Sequence, residues 1–117
     1  MIKIKRGEIW LVNLDPTVGY EIKKSRPSII IQNDVGNEYS PITIIAPVTS
    51  KNLENIYPIE VLLLRKNSGL EKNSKILLNQ IRAIDKKRLI KRIGKIDNET
   101  LSKLDEALKI SLGLLNI

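Results

Sequence analysis

Apolar residues in the first two thirds of the chain come in short, nearly continuous runs separated by turn-forming residues. Glu8-Ile9-Trp10-Leu11-Val12-Asn13-Leu14 is the first, ended by Asp15-Pro16. Pro27-Ser28-Ile29-Ile30-Ile31-Gln32 is the second, ended by Asn33-Asp34. Ile42 to Thr49 is the third, with Pro47 inside it, and Ile59 to Leu64 the fourth, closed by a turn at Asn67-Ser68-Gly69. Ser74 to Ile84 reads as one last long strand. Short runs rich in β-branched residues, bounded by Gly, Pro, Asn and Asp and lacking a helical period, predict strands. Proline cannot donate to a strand ladder, so Pro47 predicts a sheet edge or a bulge.

The period changes after Asp97. Leu101, Leu104, Leu108, Leu112 and Leu115 recur three and four residues apart, which is one apolar stripe along a helix. The Asp97 carboxylate is placed to cap its first turn, where Glu99 also favours the positive end of the helix dipole. This helix is expected to close the barrel or to pack against a partner subunit. Asp85 predicts a cap for a shorter helical turn over Lys86-Lys87-Arg88. Many short strands followed by a terminal helix predict a mainly β sandwich or small barrel. The length of 117 residues fits one domain, residues 1–117, and no repeat or linker divides it. The longest loops are Pro16 to Arg26 and Lys51 to Pro58, and loops on a rigid sheet are where function usually sits.

Composition removes several chemistries. There is no cysteine and no histidine, so neither a disulfide framework, a thiolate metal site, nor a Ser-His-Asp or Cys-His centre is possible. Glu8, Asp15, Glu21, Asp34 and Glu38 are scattered without metal-ligand spacing, so no metal and no cofactor is expected. No phosphate-binding glycine loop is present. The basic start, Met1 to Arg6, is not followed by an apolar stretch of signal length. No apolar run reaches the roughly 18–20 residues that span a bilayer. The expectation is a cytoplasmic protein with no membrane partner.

The net charge is +7, and eleven Lys or Arg stand between Arg65 and Lys95 against Glu71 and Asp85. Such a field suits a polyanion, and it equally suits a solvated basic surface. The tract Lys86 to Lys95 could extend a phosphate path or receive an acidic protein segment. The most informative loop is Gly19-Tyr20-Glu21-Ile22-Lys23-Lys24-Ser25-Arg26-Pro27. The residue before a proline is pushed to extended backbone, which aims the Arg26 side chain as a strand begins. A guanidinium held this way can bind phosphate bidentately, although a surface arginine that opens a strand has the same signature.

The ordered set of motifs carries a resemblance. Arg6-Gly7-Glu8-Ile9-Trp10, Leu14-Asp15-Pro16-Thr17-Val18-Gly19-Tyr20-Glu21, Arg26 through Asp34, Pro47-Val48-Thr49-Ser50, Leu78 through Asp85, and Leu104-Asp105-Glu106-Ala107-Leu108 follow one another over nearly the whole chain. Together they resemble the MazF family (also PemK or Kid), the toxins of bacterial type II toxin–antitoxin systems. The resemblance implies a small SH3-like β-barrel with a C-terminal helix, paired as a homodimer. It implies metal-independent, sequence-specific cleavage of single-stranded RNA, mostly mRNA, by attack of a 2′-hydroxyl to leave 2′,3′-cyclic phosphate and 5′-hydroxyl ends. The family's catalytic arginine corresponds to Arg26 and its catalytic hydroxyl to Thr49, with Ser50 adjacent.

Other roles come from the residues themselves, read beside that resemblance. Glu21 is the carboxylate available as base or hydrogen-bond organiser, or as a surface partner of Lys23 or Lys24. Tyr20 is a stacking platform for a base or a cover for the barrel mouth. Trp10, inside an apolar strand, is expected in the core or a dimer interface. Lys23 and Lys24 face RNA as cations, and Gln80 and Arg82, which share a strand face, are expected to bind RNA rather than catalyse. A cognate acidic antitoxin is the expected protein partner. Two competing readings are a gyrase-poisoning toxin of the same fold (the CcdB type) and a non-catalytic RNA-binding barrel. The first relies on a terminal Trp-Gly-Ile, where this chain has Leu115-Asn116-Ile117.

Overall fold

The computed structural model describes residues 2–117. Its strands are β1 (Glu8–Asn13), β2 (Ser25–Ile30), β3 (Ile42–Thr49), β4 (Glu60–Leu63), β5 (Ser74–Leu77), β6 (Arg82–Asp85) and β7 (Leu89–Lys95). A short helix α1 (Asp34–Tyr39) joins β2 to β3, and α2 (Asn98–Ser111) follows β7. The sheet runs β4-β5-β3-β2-β1-β7, with β6 also on β3, and its pairings are antiparallel. Among the described residues no pairing joins β4 to β7, so ladder bonds do not close the sheet into a barrel.

The sheet is covered on both faces, which is why its strands read as continuous apolar runs instead of alternating ones. Ile9, Ile29, Ala46, Val48 and Ile76 pack with Leu104 and Ala107 of α2. Trp10, Val12, Ile30, Ile45 and Ile84 form a second cluster with Ile4 and Leu89. Neighbouring residues of β1, β2 and β3 thus go to opposite cores, as a period of two requires. Trp10 is a core residue, and its indole N–H donates to Glu8 Oε1 at 3.1 Å.

The expected single strand from Ser74 to Ile84 is two strands. Val48 faces Ile76 and Ile45 faces Arg82, so three steps along β3 are matched by six along its neighbour. The surplus forms the turn over residues 78–81. Pro47 lies in the gap between these pairings, where neither β5 nor β6 asks its nitrogen for a hydrogen bond, so its bulge signal is explained. The basic tract expected as surface is largely a strand, β7, paired with β1 through two register shifts. Its exposed Ile90, Lys91 and Arg92 suit an edge position, where charge discourages further pairing. Asp85 does cap the turn at Lys86–Arg88, accepting the Lys87 N–H at 2.8 Å.

Helix α1 has only six residues, too few to show a period, and is capped by Asn33 accepting the Gly36 N–H at 2.8 Å. Helix α2 is capped as expected, Asp97 accepting the Thr100 N–H at 2.8 Å. Its leucine stripe is shorter than the sequence suggests. Leu104 is fully buried and Leu101 and Leu108 pack on the core, but the helix ends at Ser111 and Gly113 turns the chain at φ +76°. Leu112 and Leu115 are therefore exposed.

Candidate active site

The segment of residues 14–24 joining β1 to β2 is shaped by side chains from elsewhere in the chain. Arg82 Nη1 donates to Leu14 O at 2.9 Å, and Arg88 Nη1 donates to Asn13 O at 3.1 Å and also to Asp15 O. Leu14 N–H donates to Lys24 O at 3.0 Å, while Asp15 Oδ1 accepts the Lys24 N–H at 3.0 Å. Farther along, Gln80 Oε1 accepts the Ile22 N–H at 2.7 Å. The Glu21 carboxylate turns back within the loop to accept the Val18 N–H. Tyr20 at the tip is fully exposed, and Lys23 and Lys24 at the loop's end are exposed.

Arg26 lies within β2, across from Val12 of β1. Its Nε donates to Lys23 O at 3.0 Å, which leaves the Nη fork for another group. The β2–β3 register runs Ile30 with Ile45, Ile29 with Ala46 and Ser28 with Pro47. Continued two residues beyond the last of these pairs, it would set Arg26 opposite Thr49, and directly opposed residues of an antiparallel pair share one face. Thr49 is buried, and its hydroxyl oxygen accepts the Lys51 N–H at 3.2 Å. That oxygen keeps its own proton to donate.

On its other side Thr49 pairs with Lys75 of β5. Lys75 is buried, and its ammonium donates to Asn52 O at 3.0 Å, Asn55 O at 3.1 Å and Glu60 Oε1 at 3.0 Å. It also stands 5.8 Å from the Tyr57 ring centre. One lysine thus gathers the loop that follows Thr49.

Arg26 and Pro27 also border a cleft of about 520 Å³ with Ser50, Glu71, Lys72, Lys91 and Arg92. Four cations and one carboxylate line it, and although Arg92 Nε already pairs with Glu8 at 3.0 Å, the balance favours phosphate. The far wall depends on two glycines. A Cβ on Gly94 would lie 2.4 Å from Ser68 O, and Gly69 holds φ +82° against the Ile93 carbonyl. Ser50 thus lines the same cleft as Arg26, whereas Thr49 lies where the β2–β3 register, extended past Ser28 and Pro47, would bring it opposite Arg26. Among the described residues no group of three carboxylates gathers as a metal site, and no helix is long and apolar enough to cross a membrane.

Residues 5–112 match the model of the PemK-like, MazF-like toxin of type II toxin–antitoxin systems. The chain belongs to this family. It is 44% identical over 113 residues to the endoribonuclease EndoA of Bacillus subtilis, covering 97% of each chain. Its fold matches the crystal structure of MazF from Deinococcus radiodurans with a TM-score of 0.82, at 23% identity over 97% of this chain and 99% of that one. It also matches a mycobacterial endoribonuclease in complex with its cognate antitoxin, with a TM-score of 0.77 at 19% identity over 96% and 97% of the two chains.

Within this MazF-like chain, sequence reasoning located Arg26, Thr49, Ser50, Glu21 and Tyr20 on or beside the β1–β2 loop and the end of β3, and the fold draws these two segments together. Gln80 and Arg82 do not share a strand face, because Gln80 stands in the turn before β6, but the polar ends of both reach the backbone of that loop. Arg88, Lys75 and Asp15 were missed as organisers. The charge count between Arg65 and Lys95 signalled a basic field, but nothing local distinguishes a lysine that holds a carbonyl from one that faces solvent.

Proposed function

We propose that this chain is the toxin of a type II toxin–antitoxin pair and an endoribonuclease that cuts single-stranded RNA, chiefly mRNA, at a preferred sequence in the cytoplasm. The observation that carries this reading is the 44% identity with the endoribonuclease EndoA over 97% of both chains. The pairing of β2 with β3, whose register points Arg26 toward Thr49, supports the chemistry. The 2′-oxygen loses its proton and bonds to phosphorus as the bond to the 5′-oxygen breaks, and the leaving oxygen takes up a proton. The products are a 2′,3′-cyclic phosphate and a 5′-hydroxyl. Arg26 stabilises the charge that grows on the phosphoryl oxygens, where a preorganised donor is worth most. Thr49 donates a hydrogen bond from its hydroxyl to one of those oxygens. Neither step calls for a metal. Tyr20 offers a stacking surface to a base, and Lys23 and Lys24 offer charge to the flanking phosphates. The functional unit is a homodimer, neutralised by an acidic antitoxin that competes for the basic surface.

Purified protein should cut single-stranded RNA in excess EDTA. Arg26→Ala should lower kcat by at least about 10²-fold, the cost of removing one charge-stabilising donor, while circular dichroism stays unchanged. Thr49→Val should be similarly slow and Ser50→Ala close to wild type. Dependence on added magnesium, or full activity in Arg26→Ala, would overturn the mechanism.

A further inference from the structure

We propose that Gln80 is a positioning residue for Arg26, acting through the backbone of Ile22 and Lys23; this rests on Arg26 being the catalytic cation. Gln80 stands in the turn between β5 and β6, 58 residues along the chain from Ile22. Its amide oxygen accepts the Ile22 N–H at 2.7 Å. One residue later the Lys23 carbonyl accepts Arg26 Nε at 3.0 Å. The hydrogen bonds therefore run from Gln80 to the loop and from the loop to the guanidinium, with the fork of Arg26 left to meet phosphate.

The loop needs such holding. Lys24 sits at φ +70°, a conformation that a lysine keeps only where its surroundings over-determine it. Its N–H and C=O are taken by Asp15 and Leu14, and Arg82 in turn holds Leu14 O at 2.9 Å. Arg82 thus steadies one end of the loop and Gln80 the stretch that carries the Lys23 carbonyl. Ile22 adds a partly buried contact with the second core cluster. The three-residue surplus between β5 and β6 gives this arrangement its reason. An unbroken strand would keep Gln80 on the β3 ladder, whereas the turn frees its side chain for the loop.

The test is Gln80→Met, which removes the acceptor at nearly equal length on a half-buried side chain. Expected are a fall in kcat of about 10–100-fold, as for a misplacement of about 1 Å, and an unchanged KM and cleavage sequence. The Ile22 amide should lose hydrogen-exchange protection, and the Arg26 Nε–H resonance should move. Gln80→Glu keeps an acceptor and should restore most of kcat, while its negative charge raises KM for RNA. Full kcat with a protected Ile22 amide in Gln80→Met overturns the proposal. So does a changed base preference with kcat intact on the preferred sequence, which would make Gln80 a base contact. Should Met disturb packing, Gln80→Asn, which shortens the amide by one methylene, decides by the same two readings. Arg26→Ala run in parallel separates the two levels: an active Arg26→Ala protein sinks the catalytic reading, whereas an inactive one beside a fully active Gln80→Met protein sinks only the role of Gln80.

Discussion

Asp34 accepts the Arg6 backbone N–H at 2.7 Å and the Asn37 side-chain amide at 3.1 Å. The first of these bonds above all holds its carboxyl below the ordinary value of 3.8, with Lys5 and Arg6 adding charge of the helpful sign and partial desolvation opposing. A carboxyl whose pKa is lower folded than unfolded contributes stability above the unfolded value and loses it as pH falls through the folded one. Arg6 also donates to Ile31 O at 2.8 Å and pairs with Asp105 of α2 at 2.7 Å, so Asp34 helps to seat a residue that ties the start of the chain to the helix. Asp34→Asn should lower stability near neutral pH. The gap from wild type should shrink as urea melts are repeated between about pH 5 and about pH 2. A gap independent of pH would mean that the charge of Asp34 contributes nothing.

Elements meet the site through close backbone approach. β7 and the turn after β4 touch where Gly94 faces the Ser68 carbonyl, and a methyl group there would lie 2.4 Å from a backbone oxygen that has little room to retreat. Gly94→Ala should therefore cost about 1–3 kcal/mol, seen as a lower urea midpoint at unchanged slope, and should open the cleft wall opposite Arg26. Element type was legible where the pattern was long or chemically marked: β1 to β4, the Asp85 turn and the Asp97-capped helix. It was not legible for α1, where six residues cannot display a period, nor for β7, whose charges disguise an edge strand as a solvated tract. The break between β5 and β6 was hidden as well, because its apolar run continues through Leu77, Leu78 and Ile81 while the register shifts beneath it.

At the scale of the molecule, the +7 charge and the cations Arg26, Lys72 and Lys91 around one cleft predict that RNA binding is an ion-exchange process. Each phosphate neutralised on a single strand contributes a slope of about −0.7 to log affinity against log salt. Binding of an RNA made uncleavable by a 2′-deoxy nucleotide at the scissile position should weaken steeply with salt. Lys91→Ala should weaken it for all sequences and reduce the slope by about 0.7. An unchanged slope would place the RNA path away from this cleft.

By itself the chain determined the strand segments, the helix caps and the ordered motifs of a MazF-like toxin, because turn residues, capping side chains and apolar runs act over a few neighbours. It also marked Arg26, through the proline that follows it. Only the tertiary structure placed Arg26 and Ser50 on one cleft and set the end of β3 beside β2. It alone showed that Lys75 gathers the loop after Thr49, and that Gln80 and Arg82 spend their polar ends on the loop before Arg26. These contacts join residues 15 to 68 positions apart. Their existence depends on register, which a three-residue surplus in one strand resets without leaving a trace in hydrophobic period.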